Sequence, residues 1–103
     1  MAQIRSTDTT REVLGELGGR LRTYRLQQNV TQAQLAETAG VGLATLKRTE
    51  AGENTRLETI VKILRALGRL EALDGFLPPP LVSPIRLAEA RERGRKRARP
   101  SRG

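Results

Sequence analysis

The chain of 103 residues contains no cysteine and no histidine. Without cysteine it can form neither a disulfide nor a thiolate metal site, and without histidine it lacks the commonest general base and the commonest metal ligand. The sequence also has no glycine-rich motif of the kind that cradles phosphate groups. We therefore expect a protein that is not an enzyme and that carries no metal and no cofactor.

Long apolar runs are missing as well. No stretch approaches the ~20 apolar residues that a membrane-spanning helix requires. The opening MAQIRSTDTT lacks the apolar segment of a secretory signal. We expect a cytoplasmic protein with no membrane partner.

Acidic residues are scarce at one end of the chain. Residues 1–83 carry eleven Lys and Arg against nine Asp and Glu, whereas residues 84–103 carry eight against two. The net charge of +8 is therefore the sum of +2 on the body and +6 on the tail. Such a concentration of positive charge favours a polyanionic partner, although solvation alone also explains a basic tail.

Helix start and stop signals recur where the apolar residues follow helical rather than strand periodicity. Each predicted start is a threonine followed three residues later by Glu or Gln, the capping-box pattern. The pairs are Thr9 with Glu12, Thr31 with Gln34, and Thr55 with Glu58. The predicted stops, at which a left-handed residue closes a helix, are Asn29, Gly40, Gly52 and Gly68.

These signals predict an all-α fold whose five helices cover residues 10–28, 32–39, 43–51, 56–67 and 70–76. We expect the apolar face of each helix to contribute to one core. The predicted core residues are Leu14, Leu17, Leu21, Tyr24, Leu35, Ala36, Ala39, Leu46, Leu57, Ile60, Val61, Leu64, Leu67, Leu70, Leu73 and Phe76.

A proline run at residues 78–80 ends the predicted domain, because proline lacks the N–H group and restricts the residue before it. We therefore place a helical domain at residues 9–77 and a proline-rich junction with a basic tail at residues 78–103. The Ser83-Pro84 pair is typical of a helix start.

A short sixth helix is accordingly predicted over residues 84–93. The run RGRKRARPSRG, which begins at Arg93 and contains Gly94, is rich in charge and poor in apolar residues. We expect the chain from Gly94 onward to be disordered.

Two short helices joined at Gly40 and Val41 have the spacing of a helix-turn-helix, whose second helix enters the DNA major groove. The string TQAQLAETAGVGLATLKRTEAG, residues 31–52, resembles the Cro/repressor class of helix-turn-helix regulators, also called the XRE family. With the flanking helices, the resemblance covers residues 13–77 and implies a lambda-repressor-like fold that binds DNA. The matching positions are Thr31, Gln32, Leu35, Ala36, Gly40, Val41, Glu50 and Gly52, with Leu46 in place of isoleucine.

The resemblance also implies roles for individual residues. Gln32 matches a position that contacts DNA phosphate, and Arg25 and Glu50 match a structural ion pair between the first and third helices. Lys47 and Arg48 can donate hydrogen bonds to guanine, and the alternative for this pair is an ordinary solvated helix face. The predicted DNA-binding residues are Gln32, Gly42, Leu43, Ala44, Thr45, Lys47 and Arg48.

Two residues depart from the family pattern. Gly42 replaces the Ser or Thr that usually caps the reading helix, although glycine still allows the backbone to approach a ligand closely. Thr49 replaces a larger apolar residue, and we expect looser packing around it. Both departures favour weak or narrow sequence specificity.

The segment LDGFLPPPLVSPIRLAEARERGRKRAR, residues 73–99, resembles the ends of small XRE regulators encoded beside HipA-like kinases. This resemblance implies a dimeric antitoxin of the HipB type, which represses its own operon and holds a HipA-like kinase toxin. Several apolar residues of the segment fit an association surface, or else fold back onto the chain's own core. They are Phe76, Leu77, Leu81, Val82 and Ile85.

Basic residues crowd the end of the same segment. They can lie along DNA phosphates, enter a minor groove or dock on an acidic partner, and the sequence does not choose among these roles. The predicted auxiliary residues are Arg91, Arg93, Arg95, Lys96, Arg97 and Arg99.

The leading hypothesis is a sequence-specific regulator that binds a double-stranded DNA operator as a homodimer. It would act as a repressor in the cytoplasm, at the nucleoid, and as the antitoxin of a HipBA-like pair. One alternative is a protein-interaction module that inhibits a partner enzyme and binds DNA weakly. Another is nonspecific nucleic-acid binding through the tail, against which the single Tyr and single Phe argue for single strands.

Overall fold

A computed structural model of the chain describes residues 1–81 and 84–97. These residues form helices and no strand, which confirms the all-α prediction for this part of the chain. The helices are α1 Thr10–Gln27, α2 Gln32–Ala39, α3 Leu43–Glu50, α4 Leu57–Ala66, α5 Ala72–Phe76 and α6 Pro84–Arg97. The first four agree with the predicted bounds to within one residue at each end.

Helix α6 differs from its prediction in length. It continues through Gly94 to Arg97, four residues past the predicted end, so the expected disorder is wrong for residues 94–97. A single glycine costs a helix about 1 kcal/mol relative to alanine, and the neighbouring Arg, Lys and Glu are good helix formers. The predicted disorder beyond Arg97 concerns residues 98–103, which lie outside the described residues.

Local side-chain signals set most of the helix ends. Thr9 Oγ1 accepts from Glu12 N at 3.1 Å while Glu12 Oε1 accepts from Thr9 N at 2.7 Å, so the first capping box is confirmed. Thr31 and Gln34 form the second in the same way, at 3.0 and 2.9 Å. All four predicted stops adopt positive φ, namely Asn29, Gly40, Gly52 and Gly68.

The third predicted capping box, Thr55 with Glu58, is wrong. Helix α4 begins at Leu57 with Arg56 as its N-cap, and no side chain caps it. The Thr55 hydroxyl instead shares a hydrogen bond with the buried Thr49 hydroxyl at 3.1 Å. The Thr55 hydroxyl therefore makes a tertiary contact and does not cap α4 as the local pattern predicted.

The core of residues 1–73 lies where α2 packs against α3 and α4, and where α1 packs against α3. Two of its residues, Leu46 on α3 and Ile63 on α4, are fully buried. The other buried apolar residues are Leu21, Leu35, Ala36, Leu64 and Leu67. Six of the sixteen predicted core residues are therefore buried, and four more, Tyr24, Ile60, Leu70 and Leu73, are partly buried against this core.

The prediction for α4 is confirmed at Ile60, Leu64 and Leu67, but it wrongly included Leu57 and missed Ile63. Leu57, which we expected in the core, is 63% exposed, whereas Ile63, which we did not predict as a core residue, is 0% exposed. Residues 57, 60, 61 and 64 follow the same spacing as residues 60, 63, 64 and 67, so two apolar stripes overlap on this helix. Packing against α2 selects the second stripe.

Helix α1 buries a stripe that a hydrophobic pattern cannot show. Its buried residues are Gly18, Leu21 and Arg25, whereas Leu17, expected in the core, is 38% exposed. These three residues follow the spacing i, i+3 and i+7, and two of the three are a glycine and an arginine. The helix face is therefore set by close approach and charge as much as by apolar burial.

At this contact the backbones of α1 and α3 nearly touch. A Cβ atom built on Gly18 would lie 2.5 Å from the carbonyl oxygen of Thr49 and 2.8 Å from that of Glu50. One built on Gly52, just past α3, would lie 2.7 Å from the Cα atom of Gly15. Such distances are far inside van der Waals contact, so both glycines are required by space, and Gly52, at φ 85°, is required by conformation as well.

The segment before α1 is fastened to that helix by Glu16 and Arg20. Glu16 Oε1 accepts from Ala2 N at 3.2 Å, and Arg20 donates to Glu16 Oε2 at 2.9 Å and to the Ala2 carbonyl at 2.7 Å. The hydrogen bond from Arg20 holds the pKa of the Glu16 carboxyl below its ordinary value.

The described residues from Asp74 onward belong to a second compact unit. Phe76, predicted as a core residue of the fifth helix, is 64% exposed, so that part of the core prediction is wrong. Leu77, Leu81 and Ile85 are also exposed, and Val82 lies outside the described residues.

Because of the close contact at Gly18, alanine should have opposite effects on the free energy of unfolding at positions 18 and 19. Gly18→Ala should destabilise the chain by about 1–3 kcal/mol, because the backbone carbonyls that face it cannot turn aside. Gly19→Ala, in the same turn with nothing within 4 Å of its Cβ, should instead stabilise the helix by up to about 1 kcal/mol. Urea unfolding of both variants measures the difference, and equal stabilities would contradict the assigned contact.

Candidate nucleic-acid interface

The turn between α2 and α3 is built by three consecutive residues. Gly40 closes α2 in the left-handed conformation at φ 74°, and Val41 N donates to the Ala36 carbonyl at 3.0 Å. Gly42 is the N-cap of α3, whose first backbone hydrogen bond runs from Leu46 N to the Gly42 carbonyl at 3.0 Å. The chain thus reverses between two eight-residue helices in the geometry of a helix-turn-helix.

Helix α3 has one buried face and one exposed face. Leu46, Thr49 and Glu50 are buried, and Thr45 is half-buried. The exposed residues include four of the predicted DNA-binding residues, which neighbour one another at helical spacing: Leu43, Ala44, Lys47 and Arg48. The structure therefore brings the two predicted hydrogen-bond donors, Lys47 and Arg48, onto one accessible surface.

Gly42 is exposed and makes no side-chain cap. Its φ of −68° is open to any residue, and a Cβ atom there would meet Thr45 Oγ1 at an ordinary 3.7 Å. The glycine is therefore not required by the fold. Its effect is to leave the first N–H groups of α3 without a capping hydroxyl, and so available to an anion.

A buried ion pair holds α3 against α1. Arg25 Nε donates to Glu50 Oε2 at 2.7 Å and Arg25 Nη2 donates to Glu50 Oε1 at 3.0 Å, so the pair is bidentate. Arg25 Nη1 donates to the Val30 carbonyl at 2.9 Å in the turn before α2. The structure thus places Arg25 and Glu50 together, as the family pattern implies.

Gln32, predicted to contact phosphate, joins this network through its side chain. Its Nε2 atom donates to Glu50 Oε1 at 3.0 Å, and the residue is half-buried. Gln32 is the first residue of α2, and Glu50 is the last residue of α3. The first turn of α2 is therefore linked directly to the end of α3, a contact that the sequence pattern did not indicate.

Thr49 is held more tightly than we expected. Its hydroxyl donates to the Thr45 carbonyl at 2.9 Å and is hydrogen-bonded to Thr55, and the residue is 4% exposed. The expectation of looser packing is wrong, because the hydroxyl ties α3 to the following loop where an apolar side chain would only fill space.

A polar depression lies beside the end of α3. Arg48 and Thr45 line it from the helix, and Asn54 and Arg56 from the loop that leads to α4. Its remaining walls are Thr49, Thr55 and Thr59. Asn54 and Arg56 were missed by the sequence reading, although the run of four polar residues 53–56 after the Gly52 stop was the signal that could have found them.

The first turn of α2 offers two free backbone donors. The capping box occupies the N–H groups of Thr31 and Gln34, and those of Gln32 and Ala33 have no acceptor among the described residues. Free N–H groups at the positive end of a helix dipole attract anions. These N–H groups would be available to an anion without any contact from the Gln32 side chain.

The predicted basic residues of the tail fall in and beyond α6. Arg91 and Arg93 are exposed on this helix. Arg95, Lys96 and Arg97 belong to its last turn, and Arg99 lies outside the described residues.

Two kinds of feature are missing from the part of the chain that the structure describes. No group of His, Cys, Asp and Glu side chains there could hold a metal ion. No helix within residues 1–81 and 84–97 combines the length and the apolar character needed to cross a membrane.

Comparison with known proteins agrees with this geometry. A family model described as a helix-turn-helix domain matches residues 16–74, which is more than half of the chain. The match spans the complete α2–turn–α3 unit, all of α4 and most of α1. No curated protein matches the chain. The chain therefore belongs to the helix-turn-helix family and is a DNA-binding regulator.

Proposed function

We propose that the chain is a sequence-specific repressor of the XRE type, which binds a palindromic DNA operator as a homodimer. The observation that carries the proposal is the exposed face of α3, where Lys47 and Arg48 stand beside the small or apolar Leu43 and Ala44. The opposite face of the helix is fixed by Leu46 and by the Glu50 ion pair. A rigid helix with one accessible donor face suits insertion into a major groove.

Each residue on this face has a role in the proposal. Arg48 donates two hydrogen bonds to a guanine edge, and Lys47 reaches a guanine or a nearby phosphate. Leu43 and Ala44 contact a thymine methyl group or let the helix lie close to the bases. Thr45, which is half-buried at the edge of this face, has its hydroxyl near Gly42 and contributes to the polar depression.

Phosphate contacts set the position of the helix without specifying sequence. The free N–H groups of Gln32 and Ala33 hold one phosphate at the start of α2. Arg56 and Asn54, in the polar depression, hold another at the end of α3. Two phosphate contacts, one at the start of α2 and one beside the end of α3, would fix the register of α3 in the groove.

The test is a gel-shift assay on the DNA upstream of the chain's own gene, with random DNA in excess as competitor. We expect retained binding at a palindrome whose half-sites lie about one helical turn apart. Binding no tighter than that to random DNA would contradict the sequence-specific proposal.

Replacing Arg48 should show whether this residue contacts a base or only adds positive charge near the DNA. Arg48→Ala should weaken operator binding by about 1–3 kcal/mol and relax the preference at one base pair. Arg65→Ala is the matched control, because it removes the same charge from an exposed position in the last turn of α4. Operator titrations with single-base variants measure both, and an equal loss on every sequence would make Arg48 a phosphate contact.

The basic residues of α6 and beyond add phosphate contacts in this proposal. Deleting residues 91–103 removes seven Lys and Arg. Affinity for operator and random DNA should then fall by similar factors, and the dependence of binding on salt should become shallower by roughly 0.9 per lost phosphate contact. Titration at several salt concentrations measures this slope. Loss of the operator preference itself would show that the tail reads sequence.

A second function is favoured by the exposed apolar residues Phe76, Leu77, Leu81 and Ile85, which exceed what a solvated linker needs. We propose that they contact a protein partner, and the resemblance of residues 73–99 to HipB-type tails makes a HipA-like kinase toxin the candidate. In this role the chain is an antitoxin in the cytoplasm, with its operator at the nucleoid.

Co-expression with the product of the neighbouring gene tests the antitoxin proposal. The two proteins should co-purify, and Leu81→Glu combined with Ile85→Glu should abolish this, because two charges replace exposed apolar contacts. Leu57→Glu is the control, since Leu57 is also an exposed leucine but lies on α4. A wild-type chain that purifies without the neighbour would remove this function and leave the repressor proposal intact.

A further inference from the structure

We propose that the side chain of Gln32 determines how selectively the chain reads DNA by positioning α3 through Glu50, and that this side chain does not contact DNA. The inference rests on the proposed function and deepens it. Its basis is the hydrogen bond from Gln32 Nε2 to Glu50 Oε1 at 3.0 Å, which joins the first residue of α2 to the last residue of α3.

The Glu50 carboxylate is the meeting point of three helices. Arg25 of α1 donates to both of its oxygens, and Gln32 of α2 donates to Oε1. Arg25 and Glu50 are both buried, and the described residues include no buried side-chain N or O atom without a hydrogen-bond partner. Because the Arg25 fork fixes the plane of the carboxylate, the amide of Gln32 can bind it from one direction only.

This geometry limits what else the Gln32 side chain can do. Its amide has two N–H groups and one oxygen, and one N–H is committed to a carboxylate. A phosphate at the start of α2 already has the free N–H groups of Gln32 and Ala33. Loss of the side chain would therefore leave phosphate binding in place, whereas it would release the constraint between α2 and α3.

Base reading and phosphate binding respond differently to such a release. Hydrogen bonds from Arg48 to a base edge require a defined orientation of α3, because bidentate contacts tolerate little displacement. Contacts with phosphates tolerate more, since they are largely electrostatic and independent of sequence. The ratio of operator affinity to random-DNA affinity is therefore the quantity that Gln32 should control.

Gln32→Met tests the inference in the full-length chain, because methionine keeps the length of the side chain without its amide. The ratio of operator to random-DNA affinity should fall roughly tenfold, the size expected when a hydrogen bond to a charged group is lost. Affinity for random DNA should be unchanged. Gln34→Met is the matched control, since it removes one hydrogen bond of 2.9 Å from the same helical turn without touching Glu50.

A second variant tests the coupling without DNA. Gln32→Glu places a second carboxylate against Glu50, where Arg25 supplies a single positive charge, so repulsion between the two carboxylates should raise the pKa of the introduced glutamate. A carboxyl whose pKa is raised in the folded state destabilises the chain above that pKa, so the variant should be less stable than wild type at neutral pH and should recover as the pH falls toward the ordinary carboxyl pKa. A glutamate that did not face Glu50 would be stabilised at pH 7 by the helix dipole and would show no such recovery.

The outcomes are distinguishable. An equal loss of operator and random-DNA affinity in Gln32→Met would make Gln32 a direct phosphate contact and overturn the inference. An unchanged ratio, or a similar fall in Gln34→Met, would also overturn it. If the wild-type chain shows no operator preference, the proposed function fails first, and the pH profile of Gln32→Glu then decides whether the Glu50 coupling exists.

Discussion

The buried pair of Arg25 and Glu50 is the interaction on which the arrangement of the helices depends. Moving two charges out of water costs several kcal/mol per ion, and only good geometry with further hydrogen bonds offsets that cost. Here both requirements are met by the bidentate contact and by Val30 and Gln32. Because the partners come from α1, the turn after it, α2 and α3, the charges are satisfied in one arrangement of these elements.

The ion pair and the close backbone contact between α1 and α3 support each other. Gly18 lets the helices approach until its Cα lies against the carbonyls of Thr49 and Glu50. Arg25 lies seven residues further along the same face of α1, where its side chain reaches the carboxylate of Glu50. A bulky residue at position 18 would push the helices apart and lengthen the ion pair, so packing and electrostatics constrain the same distance.

This framework separates the two faces of α3. The buried face carries Leu46, Thr49 and Glu50, which hold the helix in the fold. Lys47 and Arg48 have no structural role except to complement the negative C-terminal end of the helix dipole. Residues on the accessible face can therefore be exchanged with little effect on the fold. Such independence is what a recognition surface needs if different sequences are to be read by one scaffold.

The sequence by itself determined what short windows encode. The helices were located by two capping boxes and four left-handed stops. The candidate interface was located by the family resemblance of residues 31–52. Only the tertiary structure decided which of several available partners each group takes: Thr55 bonds to Thr49 and leaves α4 uncapped, and Ile63 is buried in place of Leu57. The Gln32 side chain likewise donates a hydrogen bond to Glu50. The physical reason is that a cap or a stop involves neighbours along the chain, whereas burial and shared hydrogen bonds depend on residues brought together only when the helices pack.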